Sequence, residues 1–235
     1  MTANGSARYG IYFAPREDSA LWHAASAWLG RDAASGLSVG RPAFPWIGDE
    51  EADEITASPR HYGFHGTLKA PFALAKGETE DALDAALTAF AAARGPFGIP
   101  LEVGILEGFL ALRPTQTSPD LHHLADACVE AFEPFRAPAP AGDLARRRKA
   151  GLTPLQDEYL SHWGYPYVFD AFRFHMTLTN RLHESSREAL QRRLAGHFSQ
   201  ILAAPVFVDS ISLFFQPSRE TPFRLIRRYP FGGRP

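Results

Sequence analysis

The sequence predicts an α+β protein with two sheets, each of which carries helices. Segments with a two-residue apolar period, typical of half-buried strands, are mixed with segments whose apolar spacing is typical of helices. The order is strand–helix–strand–helix–hairpin–helix, followed by helix–strand–helix–strand–strand. A pure α/β chain would alternate more regularly, and a sandwich would lack the helices. The 235 residues, 45% of them hydrophobic, are enough for a large core and exclude intrinsic disorder.

In the first half of the chain, apolar periodicity and helix-end signals define the elements. Residues 8–14 alternate as a strand, and a helix that opens at Asp18 stops at Gly30. Residues 31–59, rich in Gly and Pro, are interpreted as a long irregular connection. The remaining predictions are a strand at 62–72, a helix at 78–94, a hairpin of 98–105 with 108–113, and a helix whose N-cap is Ser118.

The second half starts with a Pro- and Ala-rich segment, 135–151, that ends in the basic run 146–149. This run is interpreted as a solvated loop, with closure over a second phosphate of a substrate as the alternative. A capping box at Thr153 and Gln156 predicts a helix to Trp163. The other predictions are a strand at 172–180, a helix from a capping box at Ser185, and extended runs at 206–215 and 223–229.

Charge and cysteine content limit the classes of partner. The net charge of −2 argues against a global positive field for long nucleic acid. The single cysteine, Cys128, excludes an intramolecular disulfide and a cysteine metal site. Residues 1–6 show no targeting pattern, and no apolar stretch is long enough to cross a bilayer. We therefore expect a soluble cytoplasmic protein without a membrane partner, and the sequence does not indicate its oligomeric state.

The pattern F-H-x-T-L occurs twice, at residues 64–68 and 174–178. Because side chains alternate along a strand, each copy buries an apolar face and presents polar groups on the other. The polar residues expected on that second face are His65, Thr67 and Lys69 in the first copy and Arg173, His175, Thr177 and Arg181 in the second. A single His-x-Thr pair is more often structural, but its duplication with neighbouring cations favours a functional site.

These residue types suit a phosphate ester. Imidazoles exchange protons near neutral pH, threonine hydroxyls donate to phosphate oxygens, and Lys69, Arg173 and Arg181 supply positive charge. Tyr12, on the polar side of the first strand, either lines the same cleft or caps the core. The chemistry needs no metal and no nucleotide cofactor, and the sequence has no H-E-x-x-H, Walker A or G-x-S-x-G pattern.

The two H-x-T motifs resemble those of the 2H phosphoesterase superfamily. Four segments resemble the branch found with bacterial phosphonate-utilisation genes, and this similarity spans nearly the whole chain: WLGRD at 28–32, YGFHGTLK at 62–69, WGYPY at 163–167 and FRFHMTLT at 172–179. The resemblance implies one bilobal domain over residues 1–235, with two pseudo-symmetric lobes, each with an antiparallel sheet and helices, and a cleft between them. It also implies that His65 and His175 are the acid–base pair and that Thr67 and Thr177 bind phosphate oxygens. Asn180, where Gly is expected, departs from the pattern.

The function that follows is a metal-independent phosphodiesterase that hydrolyses a small cyclic phosphodiester. A 2′,3′-cyclic nucleotide, or a ribose cyclic phosphate from phosphonate catabolism, is the expected substrate. One alternative is an RNA-end-processing enzyme with the same residues, acting on 2′,3′-cyclic ends or 2′–5′ linkages, although the acidic charge argues against long RNA. A second is a non-catalytic protein that binds a phosphorylated metabolite.

Overall fold

A seven-stranded antiparallel sheet forms the centre of the computed structural model, which describes residues 7–149 and 151–233. Its strands lie in the order β4-β5-β6-β2-β1-β8-β9, and β3 pairs with β7 in a separate small sheet. The strands are β1 (Arg8–Phe13), β2 (Gly66–Phe72), β3 (Phe97–Ile99), β4 (Leu101–Leu106), β5 (Phe109–Pro114), β6 (Met176–Thr177), β7 (Val206–Val208), β8 (Ser210–Gln216) and β9 (Arg224–Pro230). The interpretation of residues 1–6 falls outside the described residues.

Helices surround this sheet, and several of their ends carry the expected signals. They are α1 (Ala20–Leu29), α2 (Asp49–Ile55), α3 (Ala57–Tyr62), α4 (Glu80–Ala92), α5 (Pro119–Ala131), α6 (Ala141–Arg148), α7 (Pro154–Trp163) and α8 (Glu184–Phe198). The predicted capping box of Thr153 and Gln156 is present, and Ser118 caps α5. Gly30 ends α1 in the left-handed conformation. Within the described residues, none of the helices is both long and apolar enough to span a membrane.

The core lies between one face of the sheet and helices α4, α5 and α8. These helices contribute fully buried side chains such as Leu83, Cys128 and Phe198. Strand β1 shows how the two faces divide, because Ile11 and Phe13 point into this core while Tyr12 joins a second apolar cluster. That second cluster lies on the opposite face of the sheet, where the functional side chains are expected.

Several predicted elements differ from the structure. The connection 31–59 and the segment 135–151 contain helices α2, α3 and α6. The strand expected at 62–72 begins only at Gly66, because Tyr62 ends α3 and Gly63 turns the chain with a φ of 79°. The strand at 172–180 is reduced to β6 and the N-cap of α8 is His183, not Ser185. Sheet pairing and capping contacts decide these boundaries, and sequence periodicity does not reveal them.

The two F-H-x-T-L segments join the halves of the sheet. Strands β4, β5 and β6 form one side and β2, β1, β8 and β9 the other, and Gly66 pairs with Met176 at the junction. The structure therefore has one continuous main sheet where two separate sheets were expected. A Cβ atom on Gly66 would overlap the ring of Phe174, so the close approach at this junction requires glycine.

The first prediction concerns Gly66. We expect Gly66→Ala to lower the free energy of unfolding by about 1–3 kcal/mol, because the new methyl group must displace the buried Phe174 ring. Urea denaturation measures this change. The matched control is Gly40→Ala, where a Cβ atom has no neighbour within 4 Å. Equal stability of the two variants would contradict the packing argument.

Candidate active site

The two His-x-Thr motifs face each other across the junction between β2 and β6. The strands are antiparallel with Gly66 opposite Met176. Extending this register by one residue in each direction places His65 opposite Thr177 and Thr67 opposite His175. The motifs are thus related by a local two-fold axis, and all four polar side chains project from the same face of the sheet.

His65 is oriented by its backbone, by Thr67 and by an aromatic ring. Its Nδ1 lies 2.9 Å from the Gly63 carbonyl oxygen, which can only accept, so Nδ1 carries the proton and Nε2 is the acceptor. The Thr67 hydroxyl lies 3.3 Å from Nε2. The Tyr12 ring stacks against the imidazole, with ring centroids 3.9 Å apart and planes inclined by 24°. These contacts fix both the tautomer and the ring plane.

His175 is held by an equivalent backbone contact. Its Nδ1 donates to the Arg173 carbonyl oxygen at 2.7 Å, again two residues earlier in the chain. The Phe109 ring lies 5.5 Å from the imidazole, centroid to centroid. Each motif therefore presents a neutral imidazole whose Nε2 is the basic atom.

Both imidazoles are held in the neutral form. Burial lowers the pKa of His65 to about 4; the hydrogen bond to Gly63 opposes this shift, and the charge of His175 adds to it. Burial also lowers the pKa of His175, against the opposing effects of the Arg173 carbonyl and the Glu107 carboxylate. The two rings are electrostatically coupled, so protonation of one disfavours protonation of the other.

The cleft above these residues has two compartments. The His65 compartment, a cavity of about 250 Å³, is lined by residues that include Tyr12, Tyr62, Thr177 and Arg147. The His175 compartment, about 260 Å³, includes Glu107, Phe109 and Arg173. Thr67 and Tyr165 line both cavities. The structure therefore brings His65, Thr67, His175 and Thr177 together, as the repeated motif predicts.

Lys69 does not reach this cleft. An irregularity in the pairing of β1 with β2 places Tyr12 opposite Thr67 but Ile11 opposite Lys69, so Lys69 lies on the core side of the sheet. Its amine is buried and contacts the Val129 carbonyl and the Glu133 carboxylate, at 2.8 and 2.9 Å. The expectation that Lys69 shares the face of His65 and Thr67 is corrected by this bulge, which the sequence pattern does not reveal.

The other expected binding residues lie at different distances from the imidazoles. Tyr12 is fully buried beneath His65 and lines its compartment. Arg173 lies at the rim of the His175 compartment, 3.9 Å from Glu107. Arg181 contacts the same carboxylate at 3.5 Å, but it does not line either cavity.

Three cleft residues were not identified as site residues from the sequence. Glu107 belongs to the expected hairpin turn, where its φ of 47° and that of 93° at Gly108 match a type I′ turn that directs it into the cleft. Tyr165 belongs to the WGYPY segment, which was a usable signal. Arg147 belongs to the basic run 146–149, for which closure over a second phosphate is the alternative interpretation, but the sequence did not single out Arg147 within that run. Within the described ranges, no three His, Cys, Asp or Glu side chains are grouped to hold a metal ion.

The fold and site define an antiparallel α+β protein with a paired-histidine cleft. Residues 67–224 match the family model described as "Protein of unknown function (DUF1045)", and the chain belongs to this family. The matched region covers both threonines and His175, and it begins two residues after His65.

Two curated relatives carry the name "Ribose 1,5-bisphosphate phosphokinase PhnN". The protein from Laribacter hongkongensis (strain HLHK9) is 40% identical over 220 residues, which cover 94% of this chain and 51% of that protein. The protein from Janthinobacterium sp. (strain Marseille) is 37% identical over 238 residues, which cover 99% of this chain and 52% of that protein. The chain thus spans about half the length of the curated relatives it matches.

These names correct the functional prediction. The relatives are named for a phosphokinase and not for a cyclic phosphodiesterase, so the expected hydrolysis of a cyclic phosphodiester is contradicted. The names also give no support to RNA-end processing or to non-catalytic binding. A solved structure of a conserved protein of unknown function from Agrobacterium tumefaciens str. C58 aligns with 94% of this chain and 85% of that chain at 12% identity. Its TM-score of 0.45 is too low to support an argument.

The second prediction concerns stability at low pH. Since the pKa of His65 is about 4 in the folded chain and about 6.5 when unfolded, the unfolded chain binds the proton more strongly between these values. The folded state therefore loses stability as the pH falls from about 6.5 to 4. Denaturation at pH 7 and at pH 4.5 measures the drop in the free energy of unfolding. We expect this drop to be smaller by roughly 2–3 kcal/mol in His65→Gln than in the wild type. His123→Gln, on the exposed side of α5, is the control and should match the wild type.

The third prediction tests the corrected position of Lys69. We expect Lys69→Ala to lower the free energy of unfolding by about 3 kcal/mol, because it leaves the partly buried Glu133 with Arg136 alone. Lys69→Met keeps the apolar stem and should cost less. Urea denaturation measures both changes. Unchanged stability of Lys69→Ala would contradict the buried contact of Lys69 with Glu133.

Proposed function

We propose that this chain is an enzyme of phosphonate metabolism that binds a phosphorylated pentose and catalyses phosphoryl transfer, with His65 and His175 as the proton-transfer groups. The observation that carries the proposal is the pairing of the two His-x-Thr motifs around one cleft. The pentose and the transfer reaction are taken from the relatives' name, ribose 1,5-bisphosphate phosphokinase. The resemblance to the branch found with phosphonate-utilisation genes supports the metabolic context.

The proposal keeps the two-histidine chemistry of the 2H superfamily, of which we take the chain to be a divergent member. It also treats residues 1–235 as one bilobal unit, because side chains from both halves of the sheet line the cleft. A cyclic phosphodiester is not proposed as the substrate. The sequence has no G-x-x-x-x-G-K-[ST] phosphate loop, so a donor nucleotide would present its terminal phosphoryl group to the pentose phosphate in the cleft without the support of such a loop.

In the proposed transfer, a hydroxyl oxygen of the pentose phosphate forms a bond to the terminal phosphorus of ATP, while the bond from that phosphorus to the departing ADP oxygen breaks. A base accepts the proton of the attacking hydroxyl, and an acid stabilises the departing oxygen. Thr67 and Thr177, one from each motif, would donate hydrogen bonds to the phosphoryl oxygens. These oxygens carry the charge that develops during transfer.

The two imidazoles differ in a way that suggests their roles. A bound phosphoryl dianion raises the pKa of both rings, and their coupling favours protonation of only one. Glu107 raises the pKa of His175, whereas the charge of His175 lowers that of His65. We therefore assign the proton to His175 as the acid and leave His65 as the base.

The fourth prediction tests this function. ³¹P NMR follows the purified chain with ribose 1,5-bisphosphate, ATP and Mg²⁺, and we expect a new phosphate ester to form. His65→Gln and His175→Gln should each reduce the rate by about 10²-fold or more, while His123→Gln should retain it. Absence of conversion by the wild type, or full activity of both histidine variants, would refute the proposal.

A further inference from the structure

Arg147 occupies a distinctive position at the roof of the cleft. Its neighbours on α6 are engaged elsewhere: Arg146 pairs with Asp143 at 3.1 Å and Arg148 with Asp157 at 2.6 Å. Arg147 instead lies over the Tyr165 ring, with its guanidinium carbon 4.8 Å from the ring centroid. In the described part of the chain, no carboxylate lies within salt-bridge distance of Arg147. Its charge is therefore not neutralised by an ion pair.

Ionic contacts hold α6 in place over the cleft. Asp143, in the first turn of the helix, also accepts a hydrogen bond from Arg219 in the loop before β9. At the other end of the helix, Arg148 also donates to the Ser161 hydroxyl at 3.0 Å. Both ends are thus attached to the body of the protein, and Arg147 between them lines the His65 compartment together with Tyr12.

A second cation stands at the opposite end of the cleft. Arg173 lines the His175 compartment, where it lies close to Glu107. Thr67 and Tyr165, shared by both compartments, stand between the two arginines. Each compartment alone is smaller than the ~300–1,000 Å³ of a typical ligand site, and only the two together reach that range. The cleft therefore fits one ligand that enters both compartments.

We infer that the cleft selects a small sugar with two phosphoryl groups, one in each compartment, and that Arg147 is the residue that binds the second group. The inference rests on the proposed function for the identity of the site, and it adds the substrate class and the residue that determines it. A guanidinium group binds phosphate oxygens through paired hydrogen bonds. Stacking on the Tyr165 ring orients the guanidinium group of Arg147 before the ligand binds.

Calorimetry with four sugar phosphates tests the inference: ribose 1,5-bisphosphate, ribose 1-phosphate, ribose 5-phosphate and fructose 1,6-bisphosphate. Arg147→Ala should bind the preferred bisphosphate about 10- to 100-fold more weakly. One of the two ribose monophosphates should keep its wild-type affinity, because it needs only the His175 compartment. Arg146→Ala is the matched control on the same helix and should bind all ligands as the wild type does. Thermal unfolding checks that both variants fold.

The outcomes separate the two proposals. Wild-type affinity of Arg147→Ala for every bisphosphate, or equal weakening of both monophosphates and the bisphosphate, would overturn the inference. So would a wild-type protein that binds no bisphosphate more tightly than the monophosphates. Arg147-dependent binding of fructose 1,6-bisphosphate without any binding or turnover of the ribose compound would instead refute the proposed function and support the two-compartment site.

Discussion

The backbone pairing of Gly66 with Met176 is the constraint on which the site depends. It joins two segments that are far apart in the chain, and its antiparallel direction gives each histidine a threonine of the other motif as its neighbour. The pairing is possible because Gly66 leaves room for the Phe174 ring. On the core side the same two F-H-x-T-L segments contribute Phe64, Leu68 and Leu178, so hydrophobic burial and the position of the polar groups arise from one arrangement.

The electrostatics of the cleft follow from this arrangement. Burial keeps both imidazoles neutral, while the guanidinium groups lie at the periphery, where water still solvates them. Such a separation places neutral imidazoles in the interior and leaves the outer part of the cleft positively charged, which favours anionic ligands. Glu107 modifies this pattern at one end, because it pairs with Arg173 and Arg181 and makes the two compartments electrostatically different.

The sequence predicts the centre of the site better than its periphery. Alternation along the two repeated strands is enough to place His65, Thr67, His175 and Thr177 on one face. The same alternation places Lys69 on the wrong face, because a bulge depends on the pairing with the partner strand and local periodicity does not describe that pairing. Arg147 and Tyr165 come from segments without a two-residue pattern, and only the packing of α6 and α7 brings them to the cleft. The short helices α2 and α3 are likewise hidden among Gly and Pro residues, and tertiary contacts such as the Asn180 amide with the Glu54 carbonyl hold them.

The Tyr12 ring that supports His65 lies directly over Gly10, at a position where any Cβ atom would collide with it. A strand residue without a side chain thereby determines where an aromatic ring rests, and this ring in turn limits how the imidazole can tilt. The two positions behave as one coupled unit. Directed-evolution libraries aimed at the neighbourhood of His65 therefore need to vary residues 10 and 12 jointly, since exchanging either alone removes the support or leaves it no space.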